Sequence, residues 1–385
     1  MHPHRIVAHA AVVALKSEEN AIGNAKRAED TPTIHKPDLA GRNEQFVGVA
    51  DRAVMEQMPM HGSILAKLDL FSIASCFCVI EWRQIMDGAL CVTRRFLMRL
   101  ATAAACAPAF GQGTRLPGVQ LYTVRDVVLK RPLQTLQAIA EIGYREVEML
   151  RNQVTVVAPH LKSTGLRPIS LHFETPLITG NWKAWQHADM PPIEPGVTFE
   201  GTIAEAKKYS FEYIVFNYLA PEERLGLDFY RSLADKLNAA GEKCRSAGLQ
   251  FCYHNHDFEF EPKPGGRPID TLLARLDKNL VRLEVDAFWV SMAGMDAAAF
   301  LRQNAGRVEM VHLKDRSPGT PVHYDIATVP NSTFRELGNG DLPLHEILLA
   351  ASQIGVKHYF VEQDFSSDPI QSLRQSYAFL RKAGF

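Results

Sequence analysis

Between Gly118 and Phe385, short apolar runs alternate with longer stretches in which apolar residues recur every three or four positions. "GVQLYTV" (118–124) is a run of β type, and "LQTLQAIAEIG" (133–143) carries helical spacing and stops at a glycine. The couplet returns as "REVEML" (145–150) before a helical stretch at 153–164, then as "RPISLHF" (167–173) before a helix at 199–209. "EYIVFNY" (212–218) precedes a long helix at 228–247. "LQFCYHNH" (249–256), "VRLEVD" (281–286), "RVEMVHLKD" (307–315) and "KHYFVEQD" (357–364) follow, with helices predicted over 268–276, 295–303, 343–353 and 368–382. Eight strands alternating with eight helices require parallel strands joined by helical crossovers. Eight such units in about 250 residues have the size of a closed (β/α)8 barrel. The pattern therefore predicts an α/β fold, a TIM barrel over 115–385. An open doubly wound sheet is the alternative, but no glycine-rich phosphate fingerprint follows the first strand.

In a barrel of this kind, chemistry collects at the C-terminal ends of the strands. Here those ends fall at Tyr122, Glu148, His172, Asn217, His254 with His256, Asp286, His312 and Glu362. One polar strand end means little, because every strand must exit to water. A full ring that over-uses His, Asp and Glu points to a shared site at the barrel mouth. Two long loops on the same face, 174–198 with Trp182 and Trp185 and 316–342 rich in Pro, Gly and Asn, read as lids or substrate walls.

Four successive strand ends offer His254, Asp286, His312 and Glu362 around one point. Two imidazoles and two carboxylates suit manganese, zinc, cobalt or iron better than calcium. A lone histidine at a strand end is more often a satisfied hydrogen-bonding group than a ligand. Asp286, however, follows an apolar strand, where an unpaired carboxylate is costly to bury unless a cation is its partner. One divalent ion is expected, manganese first, with magnesium, cobalt or zinc as alternatives. In "HNHDFEF", His254 is then the ligand and His256 contacts substrate or supports the ligands. Asp257 and Glu259 read as structural.

Composition excludes more than it identifies. The 42 Lys+Arg balance 43 Asp+Glu for a net charge of -1, so nothing in the charge calls for a nucleic-acid partner. No apolar run reaches the roughly 18–20 residues of a membrane span, the longest candidate being "LFSIASCFCVI" (70–80). Cys244 and Cys252 lack zinc-type spacing and read as buried free thiols. "TRRFLMRLATAAACAPAFGQ" (93–112) has twin arginines, an apolar stretch and a small-residue site. It reads as a twin-arginine export signal within 86–112, which implies a periplasmic protein whose mature form starts near Phe110. Residues 1–85 are a poorly defined extension, consistent with a start assigned too early and initiation at Met86 or Met98. The plainer alternative is that 94–100 begins an amphipathic helix of a cytoplasmic protein.

The runs "GVQLYTVRD", "IGYREVEML", "YHNHDFEF", "LEVDAFWV", "VHLKD" and "FVEQD" together resemble the xylose-isomerase-like barrels grouped as sugar phosphate isomerases/epimerases, over about 118–385. The resemblance implies one divalent ion, often manganese, held on strands five to eight at His254, Asp286, His312 and Glu362. It also implies a sugar substrate, with a free sugar, keto-sugar or glycoside favoured for an exported protein. Proton abstraction beside a carbonyl would give an enediolate, with Glu362 as base and Lys314 stabilising the oxyanion. There is one departure. Ketose epimerases of this type carry a glutamate where this chain has His254, and use it with the strand-eight glutamate as a pair of bases. The second proton-transfer group here falls to Glu148, His172, His256 or Lys314. Tyr122, His172, Asn217, Trp182 and Phe288 are the expected substrate contacts, and an oligomer is compatible with the sequence. Isomerisation or epimerisation is the main expectation. β-Elimination by a keto-glycoside lyase or sugar dehydratase, and a non-catalytic sugar-binding barrel, are the alternatives.

Overall fold

The computed structural model describes residues 116–385 apart from 189, 191 and 192. The expected extension at 1–85 and export signal at 86–112 lie outside the described residues. Eight strands form the barrel: β1 (Pro117–Gln120), β2 (Glu146–Leu150), β3 (Arg167–His172), β4 (Tyr213–Phe216), β5 (Gln250–His254), β6 (Val281–Asp286), β7 (Val308–Leu313) and β8 (His358–Val361). All neighbours are parallel, each strand pairs with its successor, and β8 closes on β1. The crossovers run through α1 (Pro132–Ile142), α2 (Val154–Thr164), α3 (Phe199–Lys208), α4 (Leu227–Ser246), α5 (Pro268–Arg275), α6 (Ala297–Gln303), α7 (Leu344–Gln353) and α8 (Pro369–Lys382).

Two cores follow from strand alternation. Outward residues such as Phe251, Tyr253, Leu283 and Val311 pack under the helices in one continuous cluster. Inward residues Ile169, Tyr213, Val215, Cys252, Met310 and Phe360 form a second cluster that fills the barrel. Two residues further along β5 and β7, the inward positions become His254 and His312, and beyond β8 Phe360 gives way to Glu362. Register aligns this change across strands: His254 lies opposite Glu284, Asp286 opposite His312, and His312 opposite Phe360. The barrel thus has an apolar floor and a polar upper half.

The structure departs from the sequence pattern at several places. The first strand stops at Gln120, and Leu121–Val124 form a 3-10 turn whose start is held by the Gln120 side chain accepting the Tyr122 N–H at 3.2 Å. Tyr122 is therefore on a turn above the strand rather than at its end. β2 continues to Leu150, which puts Glu148 two residues below the rim. The 174–198 segment is partly helical, at Pro176–Thr179 and Trp182–His187. In 316–342, Asp315–Arg316 pair antiparallel with Phe334–Arg335 as a small ribbon. The Asp315 carboxylate ties that ribbon down by accepting the N–H groups of Arg316, Gly338, Gly340 and Leu342 at 2.9, 2.9, 3.0 and 3.2 Å. Cys244 and Cys252 are buried free thiols.

Candidate active site

A cavity of about 220 Å³ opens at the C-terminal end of the barrel. Of the residues expected there, Tyr122, His172, Asn217, His254, His256, Lys314 and Glu362 line it. Met190, Ile326 and Ala327 wall it from the two long loops, as their position on that face predicts. Asp286 and His312 lie just beneath the lining, and Phe288, Trp182 and Glu148 lie elsewhere. Phe288 is fully buried, stacked on Phe334 at 5.3 Å between ring centroids. Trp182 lines a separate open pocket with Trp185 and Glu194. Glu148 is fully buried below the cavity.

Two tiers of ionisable side chains meet under the cavity. The upper tier is Asp286, His312 and Glu362, whose ligand atoms lie within 4.8 Å of one another. Lys314 enters it from just past β7, with its ammonium 3.0 Å from Asp286 Oδ2, 2.9 Å from Glu362 Oε2 and 2.9 Å from Asp364 Oδ2. Although burial pushes the lysine down, these three carboxylates outweigh it and hold Lys314 well above its ordinary value, as ammonium. Burial pushes Glu362 up, yet Lys314 and His312 keep its carboxyl well below the usual range. Asp286 responds differently: burial dominates and raises it to about 6, against Lys314 and His312.

The lower tier is His172, His254, Glu284 and His312, again within 4.8 Å of one another. Glu284 Oε2 lies 2.9 Å from His172 Nε2, 2.9 Å from His254 Nδ1 and 3.4 Å from His312 Nε2. Glu148 completes the floor, with Oε1 3.0 Å from His172 Nε2 and 2.6 Å from His312 Nε2. It also accepts hydrogen bonds from Gln120 at 2.7 Å and from Ser170. Burial would lower His172, but Glu148 and Glu284 raise it to about 9. Glu284 is carried down to about 2 by His312 and His172, against burial and the Glu148 charge. His254 shows the opposite balance, burial holding it well below 6.5 and therefore neutral.

His256 occupies the cavity wall on different terms. Its ring stacks on Phe258 at 5.5 Å and lies 4.9 Å from the His254 ring, and Nδ1 has no hydrogen-bond partner. Burial, followed by Lys314 and Arg224, keeps it well below 6.5. A neutral imidazole on a cavity wall is a ready proton acceptor. Glu259 fixes the peptide beneath it, accepting the His256 N–H at 2.9 Å and the Tyr253 hydroxyl at 2.7 Å. Asp257, which reads as structural in the sequence, is fully buried with neither oxygen hydrogen-bonded and is raised to about 6 by burial.

Sequence reasoning missed Glu284, Asp364, Gln120 and Ser170. Glu284 carried a usable signal: in "VRLEVD" it shares inward parity with Asp286, two residues on.

Comparison with known proteins agrees with this architecture. The family model described as xylose isomerase-like TIM barrel matches residues 199–383. An inosose dehydratase of Geobacillus kaustophilus is 35% identical over 100 residues, 25% of this chain and 32% of that protein, so the chain spans about a third of that relative's length. A sugar phosphate isomerase/epimerase structure from Parabacteroides distasonis superposes with a TM-score of 0.56 at 19% identity, covering 71% of this chain and 96% of that one. An IOLI protein structure with a bound zinc atom gives a TM-score of 0.52 at 13% identity, covering 70% and 97%. The fold is a TIM barrel similar to the xylose isomerase-like barrels, and its buried His/Glu/Asp cluster is able to bind a metal.

Proposed function

We propose that this barrel is a metal-dependent dehydratase or lyase acting on a polyhydroxylated keto-compound, a keto-cyclitol or keto-sugar, by removing the proton beside the carbonyl and expelling the β oxygen. The observation that carries this reading is the pairing, in one cavity, of a neutral His256 imidazole and a Lys314 held as ammonium. The first accepts a proton from carbon, and the second gives one to a leaving oxygen. Epimerisation by two opposed carboxylates lacks support, since His254 stands in one of the two places and Glu148 is withdrawn into the floor. The dehydratase name of the relative favours the same side.

The donor set fits a divalent ion. Asp286 Oδ2 is buried and accepts no hydrogen bond, although Lys314 faces it, and borderline nitrogen and oxygen donors converge beside it. His254, Asp286, His312 and Glu362 would hold the ion, manganese or zinc being the leading candidates. When bound, it supplies Lewis-acid polarisation of the substrate carbonyl. The chain's own residues do the rest. The His256 imidazole takes the α proton, and the C–H electron pair forms the new C=C bond. The β C–O bond breaks, and the departing oxygen leaves with a proton from Lys314 Nζ. Solvent exchange returns the proton from the imidazolium to the amine. Tyr122 and Asn217 lie where they can bind hydroxyls, and Met190 bounds the ring on the loop side.

The test is incubation of the metal-loaded protein with keto-cyclitols and keto-sugars in deuterated water, following deuterium uptake and loss of water separately. Loss of water, abolished in His256→Ala, supports elimination. Deuterium uptake with no loss of water overturns it in favour of an isomerase or epimerase. Neither signal, with sugars still binding, leaves a sugar-binding barrel.

A further inference from the structure

We propose that the barrel holds a second cation position one tier below the strand ends, built from His172 Nε2, His254 Nδ1, His312 Nε2 and the Glu284 carboxylate. It shares His254 and His312 with the upper set of His254, Asp286, His312 and Glu362, so the two positions are alternatives for one ion, and the ligand the lower one takes is a divalent ion of the zinc or cobalt class.

Geometry is the first support. With metal–ligand bonds of about 2.0–2.1 Å, a tetrahedral site has ligand–ligand edges of about 3.3–3.4 Å. Glu284 Oε2 lies 2.9, 2.9 and 3.4 Å from the three imidazole nitrogens. These three edges lie within about 0.5 Å of the tetrahedral value, and all four ligand atoms lie within 4.8 Å of one another. Three imidazoles and a carboxylate are also a donor set that zinc and cobalt favour.

Charge is the second. Glu148 and Glu284 are both fully buried, and among the described residues neither has a Lys or Arg partner. The upper carboxylates already have the Lys314 ammonium between them. Two buried carboxylates facing only imidazoles have their charge balanced either by protons on those imidazoles or by a divalent ion in their place. A divalent ion with three neutral imidazoles and these two carboxylates sums to zero.

The third support is an unused atom. Glu284 Oε1 is buried in this cluster and has no hydrogen-bond partner, which leaves it free to turn toward an ion. The surroundings are also those of a ligating histidine. His312 faces the lower tier with Nε2, while its Nδ1–H donates to Glu362 Oε2 at 2.9 Å. Ligating histidines are typically oriented by such a carboxylate on the other ring nitrogen. His172 and His254 line the cavity, so an ion has a route in from the mouth.

The experiment uses the full chain, stripped of metal and titrated with cobalt, reading metal content, the visible spectrum and X-ray absorption. The proposal predicts three imidazole neighbours around the ion in the unmodified protein and the intense bands of four-coordinate cobalt. An Asp286→Asn/Glu362→Gln variant should keep about one equivalent with that spectrum, whereas His172→Asn/Glu284→Gln should lose it. Loss of all cobalt from the first variant while its circular dichroism is unchanged overturns the proposal, as does an unaltered spectrum in the second. Should a variant not fold, the neighbour count in the unmodified protein still decides: two or fewer imidazoles overturns the lower site. Water elimination by a protein that fails this test would leave the proposed reaction intact.

Discussion

Replacing Glu259 by glutamine isolates one buried carboxyl and makes its energetic effect measurable. Glu259 is 1% exposed, and burial raises it from the usual 4.5 to about 7 against hydrogen bonds from Tyr253 and the His256 N–H. The folded protein therefore keeps this proton while the unfolded chain releases it. Below about pH 4.5 both states are protonated and the group contributes no penalty. Between 4.5 and about 7 the unfolded state ionises alone, so stability falls as pH rises. A displacement of that size corresponds to about 3 kcal/mol once both states are ionised. Glutamine preserves the contacts: its carbonyl oxygen accepts the His256 N–H, and its amide donates to the Tyr253 oxygen. The expected result is a variant whose stability, relative to the parent, improves by about 3 kcal/mol between pH 4.5 and 8. Urea denaturation at several pH values measures this directly. Parallel pH profiles for parent and variant would show that Glu259 ionises as it does in water, and the burial argument would fail.

Three further outcomes are expected. Lys314→Met removes the only Lys or Arg side chain within ion-pair reach of Asp286 and Glu362 among the described residues, at a cost of about 3–5 kcal/mol in urea denaturation and at least about a hundredfold in turnover. A variant as stable and active as the parent would contradict both roles. Gly340→Ala places a Cβ against the Arg316 carbonyl and the Asp315 carboxylate, and should lower stability by about 1–3 kcal/mol in thermal melts. An unchanged melting temperature would show that the loop gives way freely. Chelation followed by dialysis should abolish turnover, with recovery on adding manganese, cobalt or zinc but not calcium.

The fold was largely legible because each βα unit combines an apolar run with an amphipathic helix, as in Gln250–His254 before Pro268–Arg275. Boundaries were less so. "LYTV" after Gln120 is rich in β-favouring residues, yet it curls into a 3-10 turn because the Gln120 side chain caps it. The cavity-lining histidines and Lys314 could be read from strand ends, whereas Glu148 could not be placed, since its depth depends on β2 running to Leu150. Phe288 illustrates a different limit. Ala287–Met292 turns into a helix directly after β6, capped by Asp286 accepting the Trp289 N–H at 3.0 Å, and this swings the ring into the core. Trp182 shows that an aromatic residue on a loop does not reveal which way the loop faces. Glu284 is easily passed over because it lies two residues before the strand end at Asp286, although the two share inward parity.

The ribbon after β7 has a consequence for how this protein can change. Ser317 N–H donates to the Thr333 carbonyl at 2.8 Å, closing the neck of the 317–333 segment, while Asp315 clamps the neck to the chain beyond it. Lys314 is therefore gripped between a barrel strand and a sealed collar, and what lies past the collar does not bear on where its ammonium sits. Because loop length costs little once the ends are fixed, segments of other lengths and compositions can be grafted between Ser317 and Thr333 to reshape the cavity wall while the Lys314 ammonium stays in place.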